Sequence, residues 1–213
     1  MTIGGSLPIR TTLQDILYSG DAVHSIVGLM SVSAGNVLTE LCDRERLFSE
    51  ALSATVQTGL FEADPFVDLE GTEAAQKLLM FTRELGFQLS LEDIEIEPLA
   101  TRRPIANWQD PTEVNRLFAA ENESFRNRVA KAAENKCTLR YVQRIVCSPP
   151  IELGNPDSMK TRPKVSVRLE EVPLYSPYAM VTGTVYYFAF HTERYKQSPL
   201  IVQVSRRIYL LLS

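Results

Sequence analysis

The chain has 213 residues, 45% of them apolar and 23% charged, and 26 acidic side chains against 22 basic ones give a net charge of −4. This is the composition of a globular chain with enough material for one large domain, and it lacks the basic excess that neutralises nucleic-acid phosphates. No apolar run approaches the ~20 residues that cross a bilayer, and the amino-terminal MTIGGSLPIRTT has no secretory pattern. Cys42, Cys137 and Cys147 are far apart, without a CxxC, which fits a reducing compartment; a cytoplasmic protein with no nucleic-acid or membrane partner is expected.

Taken in order, Thr12 to Tyr18 predicts a short helix stopped by Gly20, and Ser25 to Ser31 a brief apolar strand. Asn36 to Asp43 and Leu47 to Thr58 carry apolar residues at three- and four-residue spacing, with Gly59 as the stop of the second helix. Glu62 to Glu70 reads as an acidic turn. A strong amphipathic helix is predicted from Thr72 to Leu85, burying Ala74, Ala75, Leu78, Leu79, Phe81 and Leu85, and ended by Gly86. Residues 92–98 alternate charge with isoleucine like a half-exposed strand, and 99–111, with Trp108, reads as a surface connection.

One long helix is then expected from Thr112 to Glu134, with Val114, Leu117, Phe118, Phe125 and Val129 inside. Strands follow at Cys137 to Cys147, Lys164 to Val172, Val185 to Phe190 and Leu200 to Val204, with a proline-rich loop from Ser148 to Pro163. The expected class is α+β: a single domain over 1–213, mainly helical to residue 135 and mainly sheet from 136, its mixed, mostly antiparallel sheet covered by helices. His24 and His191 are the only histidines and there is no HExxH, so no metal site is expected; His191 reads as a strand residue. Cys42 and Cys137 read as packing residues, and the tyrosines and phenylalanines of 175–190 as sheet-face residues.

Chemistry concentrates in one place. Glu62, Asp64, Asp68, Glu70 and Glu73 crowd a single cation, Lys77, at the start of the amphipathic helix. Such a set can bind an ammonium group and hold or shuttle a lysine proton. It can equally be a solvated i,i+4 pair, Glu73 with Lys77, worth ~0.3–0.5 kcal/mol, with Asp68 favoured by a helix dipole.

The stretch GLFEADPFVDLEGTEAAQKLLMFTRELG, Gly59 to Gly86, resembles the substrate-binding segment of the homoserine dehydrogenase family: a Gly-Tyr-Thr-Glu-Pro-Asp-Pro motif, two aspartates, Leu-x-Gly-x-Asp and a helix carrying Arg-Lys. Ser6 to Ile9, Thr12 to Val27, LSLEDIEIEPLA, KCTLRYV, YSPYAMVTG and RYKQSPLIVQ extend the likeness in order over residues 2–203, in the manner of the fused aspartokinase–homoserine dehydrogenases. The resemblance implies an oxidoreductase of amino-acid biosynthesis, leading to threonine and methionine, that interconverts homoserine and aspartate semialdehyde with NADP or NAD. Carried over by position, Lys77 and Glu62 are the implied catalytic residues. Asp68, Glu73 and Ser33 are the implied substrate-binding residues. The implied partners are a weakly bound homoserine-like amino acid and a second copy in a homodimer, or an intact relative.

The chain departs from the pattern at Leu60, Phe61, Val67 and Glu73, and its Ser31-Val32-Ser33 turn lacks the family's glycine, which a valine does not replace where backbone meets ligand. There is no GxGxxG, the turn that grips a dinucleotide, and the residues after Gln203, VSRRIYLLLS, contain no glycine. The expectation is therefore a substrate and dimerisation part without a nucleotide-binding domain, inactive in isolation. The alternatives are a non-catalytic association domain and a truncated reading frame.

Overall fold

The computed structural model describes residues 8–205; Ser6 and most of the VSRRIYLLLS segment lie outside them. The first elements are α1 (Ile9–Tyr18), β1 (Val23–Leu29), α2 (Val32–Cys42), α3 (Phe48–Gln57), α4 (Pro65–Leu69) and α5 (Thr72–Glu84). They are followed by β2 (Glu95–Ile96), α6 (Pro111–Phe118), α7 (Asn122–Glu134), β3 (Cys137–Ile151), β4 (Lys164–Pro173), β5 (Val185–Thr192) and β6 (Leu200–Ser205).

The six strands form one sheet in the order β2-β4-β3-β1-β5-β6. All pairings are antiparallel except the short parallel contact of β2 with β4. The expected α+β class with a mixed, mostly antiparallel sheet is what the chain adopts. His191 is a half-buried residue of β5, opposite Ser25.

Strand alternation divides the sheet into two unlike faces. On one, Ile26, Leu139, Tyr141, Ile145, Val165, Val167, Phe188 and Phe190 pack under the helices. On the other, Val27, Leu29, Val142, Val172, Tyr187 and Ala189 form a smaller cluster with Ala179, in the segment that connects β4 to β5. That segment is tied down by two bonds. Arg140, itself buried, donates to the Ala179 carbonyl at 2.6 Å, and the Gly183 N–H donates to Thr39 Oγ1 at 2.7 Å.

Four details differ from the sequence-based expectation. The acidic turn contains a helix, α4, because Asp64 caps it, accepting from the Phe66 N–H at 3.1 Å, and Pro65 starts it with a preset φ. The long helix of 112–134 is broken at Ala119–Glu121. There the Leu117 carbonyl accepts from Arg103 at 2.7 Å, and Asn122 turns away to accept the Ser49 N–H at 2.9 Å. Asn122 thereby caps α3, which Leu47 at its N-cap is unable to do. Phe48 then stacks on Phe125 with ring centroids 4.0 Å apart, and Trp108 of the surface connection packs on Phe66 and Phe118.

The strand at 92–98 shortens to two residues, since the Ser90 N–H and hydroxyl both bond Asp93 and close a turn ahead of it. β3 runs four residues beyond Cys147, to Ile151, which pairs with Val23 after an irregularity in β1.

Candidate functional site

Three short stretches meet above the centre of the helical face: the turn from β1 into α2, the acidic loop with α4, and the first turns of α5. Each is locally determined. Ser31 leaves the strand in extended conformation and caps α2, its hydroxyl accepting from the Ala34 N–H at 3.3 Å. Gly71, at φ +77°, makes the left-handed turn from α4 into α5, and a Cβ there would lie 2.3 Å from the Tyr141 hydroxyl. Only glycine satisfies both demands. The Tyr141 hydroxyl donates to the Glu97 carbonyl at 2.8 Å, which locks that wall of the turn.

Lys77 is the centre. It is 4% exposed; its Nζ lies 2.5 Å from Glu73 Oε1 and donates to the Met30 carbonyl at 2.7 Å. The ring of Tyr186 on β5 lies on another side, with its centroid 5.5 Å from Nζ. Asp68, also 4% exposed, accepts the Glu62 backbone N–H at 3.1 Å and a hydrogen bond from the buried Ser33. Ser33 in turn bonds the Ser31 hydroxyl at 3.1 Å. Burial raises the Asp68 carboxyl to about 6, with the Glu73 charge acting in the same direction; the Glu62 N–H, Ser33 and Lys77 oppose the shift.

Four of the five expected site residues are therefore brought together, the Lys77–Glu73 pair lying close enough to the bonded Asp68 and Ser33 for the charges to act on Asp68. The fifth differs. Glu62 joins through its backbone N–H, and its side chain is solvent-exposed. The neighbouring Asp64 and Glu70 serve Arg102 instead, at 2.8 and 3.0 Å; that guanidinium holds Asp64 below the usual carboxylate range. Sequence reasoning missed the Met30 carbonyl and the Tyr186 ring. A backbone acceptor leaves no trace in side-chain identity, and Tyr186 sits among other aromatics.

The cluster can hold a small cationic group. Buried Asp68 and half-buried Glu73 against one ammonium leave an acidic balance when Asp68 is ionised, and hydroxyls at Ser31 and Ser33 add hydrogen bonding beside it. A dinucleotide is another matter. Phosphates are gripped where a strand of a parallel βαβ unit turns through glycine into a helix. Among the described residues the strand-to-helix turn at Met30–Val32 has no glycine, its Ala34 N–H is already capped, and β1 lies between two antiparallel neighbours. The turn from β1 into α2 therefore does not fit the pyrophosphate of a dinucleotide. No group of metal-ligating side chains occurs among the described residues, nor a helix long and apolar enough to cross a membrane.

The homoserine dehydrogenase family model matches residues 8–206. The chain is 31% identical over 204 residues to bifunctional aspartokinase/homoserine dehydrogenase 1, chloroplastic, of Arabidopsis thaliana, covering 95% of this chain and 20% of that protein. It is 29% identical to the bifunctional aspartokinase/homoserine dehydrogenase of Haemophilus influenzae, covering 94% and 23%. The chain thus spans about a fifth of the length of these relatives. A Candida auris protein of unknown function superposes with a TM-score of 0.78 at 27% identity, over 95% of this chain and 54% of that one. A homoserine dehydrogenase from Thiobacillus denitrificans shares the fold, with a TM-score of 0.72 at 18% identity, over 95% and 39%.

Proposed function

Because the chain belongs to the homoserine dehydrogenase family, we propose that its 213 residues form the substrate-binding and dimerisation part of an oxidoreductase that interconverts homoserine and aspartate semialdehyde. The observation that supports this reading is the buried Lys77–Glu73 pair beside Asp68 and Ser33. In it, ionised Asp68 and Glu73 receive the ammonium of a homoserine-like amino acid, and Lys77 presents an N–H to the substrate hydroxyl and handles its proton. Exposed Glu62 assists from the rim of the site. The NAD or NADP of the family reaction is held by a nucleotide-binding domain supplied outside these residues, and a cytoplasmic setting suits the free Cys42, Cys137 and Cys147.

Calorimetry and an NADP-coupled assay on the purified 213-residue chain test this. Weak homoserine binding that disappears in Lys77→Ala is expected, with no measurable NADPH binding and no turnover. Absence of any homoserine binding to the folded chain would overturn the substrate reading. NADP-dependent turnover lost in Lys77→Ala would overturn the division of labour.

A second reading, an association domain kept without catalysis, is favoured by the face of the sheet opposite the α-helices, where Val146 and Ile201 remain 38% and 37% exposed. The partner on that face is a second copy or an intact relative.

A further inference from the structure

The backbone of Met30 is held on both sides of its Cα. Its carbonyl accepts Lys77 Nζ at 2.7 Å, and its N–H donates to Gln143 Oε1 at 2.6 Å. Gln143 lies in β3 with no solvent exposure, a glutamine on the same face as Leu139, Tyr141 and Ile145. A buried amide side chain is costly unless it is hydrogen-bonded. Gln143 meets that demand in one orientation: Nε2 donates to the Tyr141 carbonyl at 3.1 Å, which leaves Oε1 facing Met30.

Gly28 pairs with Gln143 across the two strands and leaves room for the Met30 side chain. A Cβ at Gly28 would lie 2.3 Å from the Met30 terminal methyl, so a side chain there would push the end of the Met30 side chain aside. Glutamine in β3 and lysine in α5 thus converge on the backbone of one residue, Met30, whose side chain lies over Gly28 of β1.

We propose that Gln143 is a positioning residue for the candidate site, acting through the backbone of Met30 to fix the place and direction of the Lys77 ammonium. The N–H and the carbonyl of Met30 belong to the two peptide groups that flank its Cα, so the bond from Gln143 restrains the backbone on which the carbonyl that receives Lys77 is set. Lys77 has three N–H donors. Met30 and Glu73 take two of them in a set direction, and the third is the one offered to an oxygen of the bound ligand. The assignment rests on reading the Lys77 cluster as a substrate site; the hydrogen-bonded series itself does not depend on which substrate binds.

The test pairs Gln143→Met, which keeps the volume and removes the acceptor, with Gln143→Glu, which keeps an acceptor oxygen. In protein labelled with 15N-lysine, the Nζ proton exchange of Lys77 is followed by NMR, the signal being assigned by its loss in Lys77→Arg. Homoserine binding is measured on the same samples. Gln143→Met is expected to exchange at least tenfold faster at Nζ and to bind homoserine about tenfold more weakly, and Gln143→Glu to recover both. Folded Gln143→Met with wild-type exchange at Lys77 overturns the proposal.

If homoserine binds none of the proteins while the exchange rates still separate tenfold, the positioning role stands and the substrate reading falls. The wild type decides alone should the variants not fold. Its Met30 amide must exchange slowly together with the Lys77 Nζ protons, and a freely exchanging Met30 amide overturns the proposal.

Discussion

Glu73 and Lys77 lie one turn apart on α5 with their charged atoms 2.5 Å apart, and their side chains keep only 14% and 5% of their exposure. The same spacing on a solvated helix contributes ~0.3–0.5 kcal/mol. Here, removal of one partner leaves the other charge in a largely closed environment, which typically costs about 3–5 kcal/mol. Lys77→Met is therefore expected to lower the unfolding free energy by about 3 kcal/mol in urea titrations. The double variant Glu73→Leu/Lys77→Met is expected to regain a large part of it. A single-variant cost below about 1 kcal/mol would show that the pair behaves as a surface pair.

Asp68 makes stability and binding respond to pH in opposite directions. Its folded-state value of about 6 lies above the ordinary 3.8, so the folded protein binds the extra proton more tightly than the unfolded chain does. Its contribution is fully present below pH ~4 and is lost as pH rises through 6, a change of about 3 kcal/mol from the size of the shift. Asp64, Asp93 and Glu193, held below their ordinary values, act in the opposite sense and only in the more acidic range. Thermal unfolding of Asp68→Asn against wild type from pH 4 to 7.5 isolates the effect. The variant is expected to gain relative stability as pH rises, while homoserine binding by the wild type strengthens through pH 6. A constant difference between the two proteins across this range would exclude a raised Asp68.

Gly71→Ala combines a left-handed backbone with a Cβ placed 2.3 Å from the Tyr141 hydroxyl and 2.9 Å from Ile96. The backbone alone costs ~1–2 kcal/mol, so at least about 2 kcal/mol of destabilisation is expected in chemical unfolding. In a Tyr141→Phe background the added cost of Gly71→Ala is expected to shrink, because the closest atom is gone. Full additivity would mean that the turn yields without touching Tyr141.

The sheet face opposite the α-helices carries the association proposal. Light scattering at tens of micromolar is expected to give a dimer for the wild type and a monomer for Val146→Glu/Ile201→Glu, since a charge at both half-exposed positions disfavours apolar contact. A monodisperse wild-type monomer would count against the proposal.

The strands after residue 136 and the helix at 72–84 were legible because period-two and helical spacing bury one side cleanly. The α6–α7 break was not, since it depends on Arg103 and Asn122 bonding elements far along the chain. The site followed the same rule. Lys77, Asp68 and Glu73 stand within one short stretch and could be grouped by eye. Gln143 and Tyr186 reach the lysine only through the sheet, from 66 and 109 residues further on, and neither residue type announces a role. Glu62 stood out for its carboxylate, but the bond to Asp68 comes from its backbone N–H while its side chain is exposed.

The place of β1 between β3 and β5 also governs how the molecule comes into being. Ile26 ends up opposite Ile145 on one side and Phe190 on the other. When a ribosome has released the first 136 residues, every side chain of the acid–lysine cluster has been made, yet the apolar strand beneath it has neither neighbour. Both edges of that strand are then open to pairing with another nascent chain, a hazard that closes only when β5 arrives. Early synthesis is the interval in which this chain gains most from a chaperone's cover, and a pause in translation between α7 and β5 is expected to be more harmful than one placed later.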